Sequence, residues 1–422
     1  MNKSLAIILG LLALVMGVGA IVALQDQGAP TTPASERKIG QPLLPQLKAA
    51  DVARITIREP KGSITLEKKN ERWVINERAG FPADLDKVTE IVVKAIELKT
   101  GQVEGIGAQD RVRMQLAAPA AAAAPAPATA ATATSATTST AATAATAATT
   151  TEGAATALVL AGADGKPLAE LWLGKKYFKT PPEGDAAKAL GDGRFVMLPA
   201  DQTRVVVVAD PLKQATSNAA DWLAREGVTI ENVKSIEIKA TAGGYRLARV
   251  LLDTPWELDG AAKPVKPAAT AGKGGNAAAG PALDQSRANS ASYALAKLDI
   301  DDVAAAGADA GFEQGSEIIA STFEGLEYRI KVGRLDGARY FAQVSVQGAP
   351  SRPAPSAPAN EKPEDKDQRE KAFAEQTKTF NARIAREKAL GPFTLLIAKA
   401  KFDDLLKPRE ALLAQPAKDA KK

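Results

Sequence analysis

The chain has 422 residues, 54 Lys and Arg against 49 Asp and Glu, a formal net charge of +5, and neither histidine nor cysteine. Lacking imidazole and thiol, it has no Ser-His-Asp or Cys-His nucleophile system, imidazole or thiolate zinc site, cysteine-ligated iron–sulfur cluster or disulfide staple. The basic residues alternate with acidic ones almost throughout and few aromatics accompany them, so a solvated surface is expected and a nucleic-acid partner is not.

Residues 5–24, LAIILGLLALVMGVGAIVAL, carry no charge, and twelve of them are Leu, Ile or Val. As a helix this run is roughly 30 Å long, about the hydrocarbon thickness of a bilayer. It predicts one N-terminal transmembrane helix within residues 1–25, a retained anchor or uncleaved signal. A cleaved secretory signal is the rival reading, but Val18-Gly19-Ala20 matches a small-x-small site poorly and the apolar run continues past it. Lys3 precedes the run and Asp26 follows it. That asymmetry predicts a single pass through the inner membrane, with a cytoplasmic N-terminus and a periplasmic or extracytoplasmic body. Residues 26–45 then form a juxtamembrane linker, and the membrane, through residues 5–24, is the first expected partner.

With two to three domains expected at this length, the body reads as a repeated pattern. Val52, Ile55, Ile57, Ile64 and Leu66 recur at a constant offset as Val233, Ile236, Ile238, Tyr245 and Leu247. Trp73 and Ile75 then match Trp256 and Leu258 after a shift of two. Apolar residues alternate with polar ones such as Thr56 and Arg58, or Glu237 and Lys239, the period of half-buried antiparallel strands. Pro60-Lys61-Gly62 and Gly243-Gly244 mark the first hairpin turns. Asp84 predicts the N-cap of a helix carrying Leu85, Val88, Ile91, Val92, Ala95 and Leu98, and Asp284 that of a weaker helix carrying Ala288, Ala291, Leu295 and Leu298. Each helix should cover the apolar face of its hairpins, with Trp73 and Trp256 as core residues beneath it. Further strands are expected over residues 157–173, 194–198 and 205–209, and over 318–332 and 339–346. Gly174 and Gly333 read as turns or bulges.

The predicted fold is therefore α+β: two tandem homologous units, each an antiparallel sheet with a packed helix. The first comprises residues 46–116 and 157–225, interrupted by an Ala/Thr/Pro low-complexity insert at 117–156. That insert cannot bury enough surface to order itself, and as a coil it would separate its ends by roughly 35 Å. The second unit comprises residues 226–347, with a Lys/Pro/Gly/Ala linker at 261–281. Residues 348–413 are expected to hold a Pro-rich insert, a charged helix over 362–390, a closing strand over 393–399 and a short helix; 414–422 form a polar tail. Phe373, Phe380 and Ile384 give the charged helix only a thin apolar stripe, so it should protrude or face a partner.

The pattern resembles a bacterial family catalogued as a domain of unknown function, number 4340. The resemblance rests on the N-terminal span, Leu47-Lys48-Ala49-Ala50-Asp51-Val52-Ala53-Arg54-Ile55, Trp73-Val74-Ile75, Phe81-Pro82-Ala83-Asp84, Met114-Gln115-Leu116, Leu171-Trp172-Leu173-Gly174, Asp221-Trp222-Leu223, and the segment from Gly391-Pro392-Phe393 to Leu405-Leu406. It implies a membrane-anchored extracytoplasmic protein with no established activity. Some relatives are encoded near auxiliary components of ABC-type transport systems resembling those of gliding motility, so a membrane complex of that type is an expected partner. The long Ala/Thr and Pro/Lys inserts depart from the family pattern. No functional residue comes with the resemblance.

Individual motifs carry little chemistry. Ser35-Glu36-Arg37-Lys38 has a Ser-x-x-Lys spacing, but a Pro-flanked linker cannot bury a lysine to lower its pKa. Asp299, Asp301 and Asp302 resemble the start of a calcium loop without its sixth-position Gly or twelfth-position Glu. Gly272-Lys273-Gly274 lacks the strand and the Ser/Thr of a phosphate loop. No catalytic, cofactor-binding or metal-binding residue is assigned, and no cofactor is expected. The leading expectation is a non-enzymatic binding or scaffold subunit, accessory to a transport system. The alternatives are an envelope hydrolase using carboxylates alone and a cell-wall or glycan-binding stalk.

Overall fold

The computed structural model describes residues 38–119, 153–180, 185, 189–240, 243–260, 282–349, 351, 356, 358 and 361–414. The alternation around Ile55 and Ile57 forms β1 (Arg54–Glu59), paired antiparallel with β2 (Gly62–Lys69) and β6 (Thr156–Ala161). Ile55 thus lies between Leu66 and Leu160, all three fully buried. The same sheet takes in β3 (Arg72–Ile75), β4 (Phe81–Pro82), β5 (Val103–Gly105), β7 (Pro167–Tyr177), β8 (Gly193–Leu198) and β9 (Asp201–Val208). Its order is β4-β3-β2-β1-β6-β7-β8-β9-β5.

The second sheet is built from β10 (Val233–Lys239), β11 (Tyr245–Ala248), β12 (Glu257–Leu258), β13 (Asp302–Val303), β14 (Ser316–Thr322), β15 (Glu327–Asp336), β16 (Arg339–Gln347) and β17 (Leu395–Ala398). Its order is β12-β11-β10-β14-β15-β16-β17-β13. Strand for strand this repeats the first order, with β10 in the place of β1 and, among the described residues, no equivalent of β4. The strand that completes it, β17, pairs with both β16 and β13. It comes from residues 348–413, the segment set apart from the second unit in the sequence reading.

Three helices matter for packing: α1 (Leu85–Glu97), the short α2 (Ala108–Arg113) and α3 (Gln285–Ala296). Asp84 caps α1 by accepting from the Asp86 and Lys87 N–H groups at 3.1 and 3.3 Å. Asp284 caps α3 in the same way, from Ser286 and Arg287 at 2.9 and 3.4 Å. The cap residues are themselves tied alike: Asp84 N–H donates to Trp222 O at 2.8 Å and Asp284 N–H to Leu412 O at 2.9 Å. The helices differ in bulk. α1 buries Val88, Ile91, Val92 and Ala95, whereas α3 buries Ala288, Ala291 and Leu295. The thinner face of α3 leaves room for Trp256, which is 1% exposed and donates its indole N–H to Asn289 at 3.1 Å. Trp73 packs against the core but is only partly buried. The two indoles therefore have unlike surroundings, and only Trp256 is fully interior.

One continuous apolar core runs through both sheets. At their junction Arg78 forms a two-pronged ion pair with Asp302, at 2.8 and 3.0 Å, and the Phe81 ring meets Phe393 edge-on at 5.0 Å. A small second cluster covers the opposite face of each sheet, one around Leu116, Trp172 and Met197, the other around Ala310, Phe341 and Leu396. With both faces covered, β7 reads as the unbroken apolar run Leu171-Trp172-Leu173 rather than an alternating one. Gly174 and Gly333 are explained here. The covering loops cross them so closely that Lys175 N–H donates to Met114 O at 2.9 Å and Arg334 N–H to Ala310 O at 2.8 Å. A β-carbon would lie 2.5 Å from the first carbonyl oxygen and 2.0 Å from the second.

The ends of the Ala/Thr/Pro insert are not spread apart. Ala117 and Ala154 bridge one another, with Ala117 N–H on Gly153 O and Ala155 N–H on Ala117 O, both 2.9 Å. Pairing to the neighbouring strands closes the segment at its base, where a free coil would leave its ends apart. The apolar run at 5–24, residues 120–152 of the insert and the linker at 261–281 lie outside the described residues. Among the described residues no helix is long and apolar enough to cross a membrane.

Candidate functional site

Between β16 and β17 the chain leaves the sheet and returns through a long helix, α4 (Pro363–Ala389). Pro363 at its first position, Glu364 and Asp365 in the first turn and Arg386 and Lys388 in the last suit the helix and its dipole. Most of its outer residues are exposed, while Ile384, Glu387 and the following Leu390 are buried where it lands on the second sheet. At its outer end Arg369 clasps Glu361 with two hydrogen bonds, at 2.7 and 2.9 Å.

Glu387 is a fully buried carboxylate at this landing. It accepts from the Thr229 N–H at 2.9 Å and from the Tyr328 hydroxyl at 2.8 Å, and Arg383 lies 3.9 Å away. Burial pushes its pKa above the usual carboxylate range, against the pull of those two donors and of Arg383 and Arg386. Burial and the Glu387 charge likewise push the Tyr328 phenol up. Walled in on all sides, Glu387 positions the helix and does not face solvent.

Immediately outside lies a cavity of about 440 Å³ lined by Glu231, Asn232, Glu324, Thr379, Phe380 and Arg383, among others. Its charges are already engaged. Arg383 donates to Glu231 at 2.9 Å and stacks over the Phe380 ring at 5.0 Å, and the Asn232 amide donates to Glu324. Across the Glu231-Asn232 ridge is a second cavity of about 600 Å³, with Arg249, Leu252, Asn289 and Tyr293 in its wall. Arg249 stacks over Trp256 at 4.5 Å and donates to Val233 O at 2.8 Å; burial lowers its pKa. The arrangement is a polar and aromatic surface around the root of α4, in which each carboxylate already has a partner within the chain.

Asp299, Asp301 and Asp302 do not converge. Asp302 is held by Arg78, with Arg339 4.0 Å away, and Asp299 pairs with Lys297 at 3.1 Å and Lys401 at 3.9 Å. Asp301 hydrogen bonds through its backbone N–H to Leu396 O. Among the described residues no group of three or more acidic, His or Cys side chains could hold a metal ion. Ser35, Glu36 and Arg37 lie outside the described residues, as do Gly272, Lys273 and Gly274, while Lys38 is exposed. Glu387 and Tyr328 were not singled out by sequence. The available signal was a charge falling three residues after Ile384, on the stripe that should have been apolar.

The sequence model of a family described as Domain of unknown function (DUF4340) matches residues 73–315, from β3 to the residue before β14, and the chain belongs to that family. No curated protein and no solved structure matches the chain.

Proposed function

We propose that this member of the family is a non-enzymatic binding or scaffold subunit, tethered to the inner membrane by residues 5–24 with its body on the extracytoplasmic side, and accessory to a membrane complex of the ABC-transporter type. In this reading the two sheets are tandem homologous units, and α4 is an insertion in the second that faces the partner. The observation that carries it is the contrast along α4. Its inner third is fastened by Ile384, Glu387 and Leu390, with Phe380 packed against the core just before them, while most residues of its outer turns stand exposed around a half-buried Phe373. A buried charged anchor costs stability unless fully satisfied, so an exposed helix fastened this way is suited to presenting a fixed surface.

The test is purification of the full chain from detergent-solubilised membranes. An integral membrane protein should co-purify reproducibly and be lost when the exposed positions Lys371 and Glu375 on α4 are changed to residues of opposite charge. Failure to recover any membrane partner from the unaltered chain would overturn the reading.

A further inference from the structure

The turn joining β11 to β12 differs from its counterpart in the first sheet. Between β2 and β3 the chain turns through Asn70 and Glu71, just after Lys69 closes β2. Between β11 and β12 it passes through Val250, Leu251 and Leu252, which are 73%, 58% and 51% exposed. These form the only run of three consecutive exposed large apolar residues among those described. Tyr293 of α3, 76% exposed, lines the same cavity as Leu252.

The turn is firmly built. Arg249 donates to Leu252 O at 2.7 Å, and its backbone N–H donates to Lys234 O at 3.0 Å. The Thr254 hydroxyl donates to Leu251 O at 2.8 Å and accepts from Leu251 N–H at 3.0 Å. Beneath it the Arg249 guanidinium is stacked on the buried Trp256. Three aliphatic side chains are thus held in water by a hydrogen-bonded turn, an arrangement with no benefit to the folded chain alone.

We propose that this tip, Val250-Leu251-Leu252 with Tyr293, rests in the interface of the lipid bilayer to which the chain is tethered. The inference rests on the anchored reading above. Only residues 25–37 separate the apolar run from the first described residue, and fully extended they reach no more than about 45 Å. A body of this size has a radius of gyration of about 20 Å, so the tether keeps it within roughly its own diameter of the lipid, and any face can be the one that touches. Aliphatic side chains at the tip with a tyrosine beside them match the chemistry of the headgroup boundary, where the aromatic ring spans apolar and wet zones. The equivalent charged turn at 69–71 does not.

Because the chain has no cysteine, a single introduced thiol reports one position. The full chain carrying Leu251→Cys or Lys69→Cys, labelled with an environment-sensitive dye, is reconstituted into phosphatidylcholine/phosphatidylglycerol vesicles with and without brominated acyl chains. The expected result is a blue-shifted emission quenched by brominated lipid at 251, and an aqueous, unquenched emission at 69. A dye at Asp253→Cys should also be quenched, and should lose that quenching when Val250, Leu251 and Leu252 are all changed to Ser. Aqueous emission at 251 in chain that still floats with the vesicles after alkaline carbonate would overturn the tip while sparing the anchor. Shielding at 251 without lipid quenching, accompanied by crosslinking between copies, would assign the tip to a second copy and also overturn it. Loss of carbonate-resistant flotation would sink the anchor and the inference together.

Discussion

Where β8 turns directly into β9 through Pro199 and Ala200, the equivalent place between β16 and β17 admits residues 348–394 with α4. Where the first sheet turns through Asn70 and Glu71, the second turns through three exposed aliphatics. Where α1 covers its sheet with Val and Ile and leaves Trp73 half-buried, α3 covers its own with Ala and draws Trp256 inside. The sheets agree in strand order, helix caps and close-packed glycines, and differ at turns and helix faces. Positions that hold the backbone together are thus alike in both halves, while among the described residues only the second half carries the long helix and the apolar tip.

The comparison can be broken most sharply at the tryptophans. Trp256→Ala should cost about 3–5 kcal/mol by removing a fully buried ring, and Trp73→Ala clearly less; equal losses in denaturant melts would contradict the packing difference. Next comes Glu387→Ala, which strands the Tyr328 hydroxyl and the Thr229 N–H at about 1–3 kcal/mol each, with Glu387→Gln much milder. Because burial raises the Glu387 pKa above its ordinary value of 4.5, the folded chain holds this proton more tightly than the unfolded one. Stability from this site is therefore greatest at acid pH and falls as pH rises from 4.5 through the raised value. Denaturation followed against pH should show that fall in the native chain and not in Glu387→Gln.

Gly174→Ala and Gly333→Ala should each cost about 1–3 kcal/mol through overlap with a crossing carbonyl, and the similarity of the two losses is the informative result. Asp84→Ala and Asp284→Ala should each cost about 1 kcal/mol, read from thermal melts. The smallest effect belongs to Glu67, whose carboxyl is held down at about 2 by Arg54, Asn76 and Lys69. That stabilisation is complete above pH 4.5, fades as pH falls towards 2, and amounts to less than about 1 kcal/mol at this surface site. Glu67→Gln should flatten the acid limb of the stability profile by that amount.

Much of this architecture is legible in the chain wherever a period is long enough to register. Ile55 and Ile57 against Thr56 and Arg58 announce β1, and Asp84 and Asp284 announce the helix starts. Trp256 and Leu258 mark β12 by their match to Trp73 and Ile75, whereas the two-residue strands β4 and β13 are too short to carry an alternation. β17 is legible as a closing strand over 393–399, but its place in the second sheet is not: Leu395, Leu396 and Ile397 are all buried, so no polar phase shows which face it offers, and its partner β16 lies on the far side of the insertion. The root of α4 was obscured because Glu387 looks like one more charge on a charged helix. Only the donors at Thr229 and Tyr328, distant in sequence, reveal it as an anchor. Trp73 is shallower than its strand phase suggests, because phase gives the face a side chain occupies and not the depth of cover above it.

The proposal that α4 faces a partner is tested most directly by site-specific crosslinking in native membranes from single thiols at Lys371→Cys on α4 and at Ala200→Cys in the plain β8–β9 turn, both exposed positions. The account predicts that one and the same integral membrane protein is caught from 371 and not from 200. Capture from both positions alike, or from neither, would contradict it.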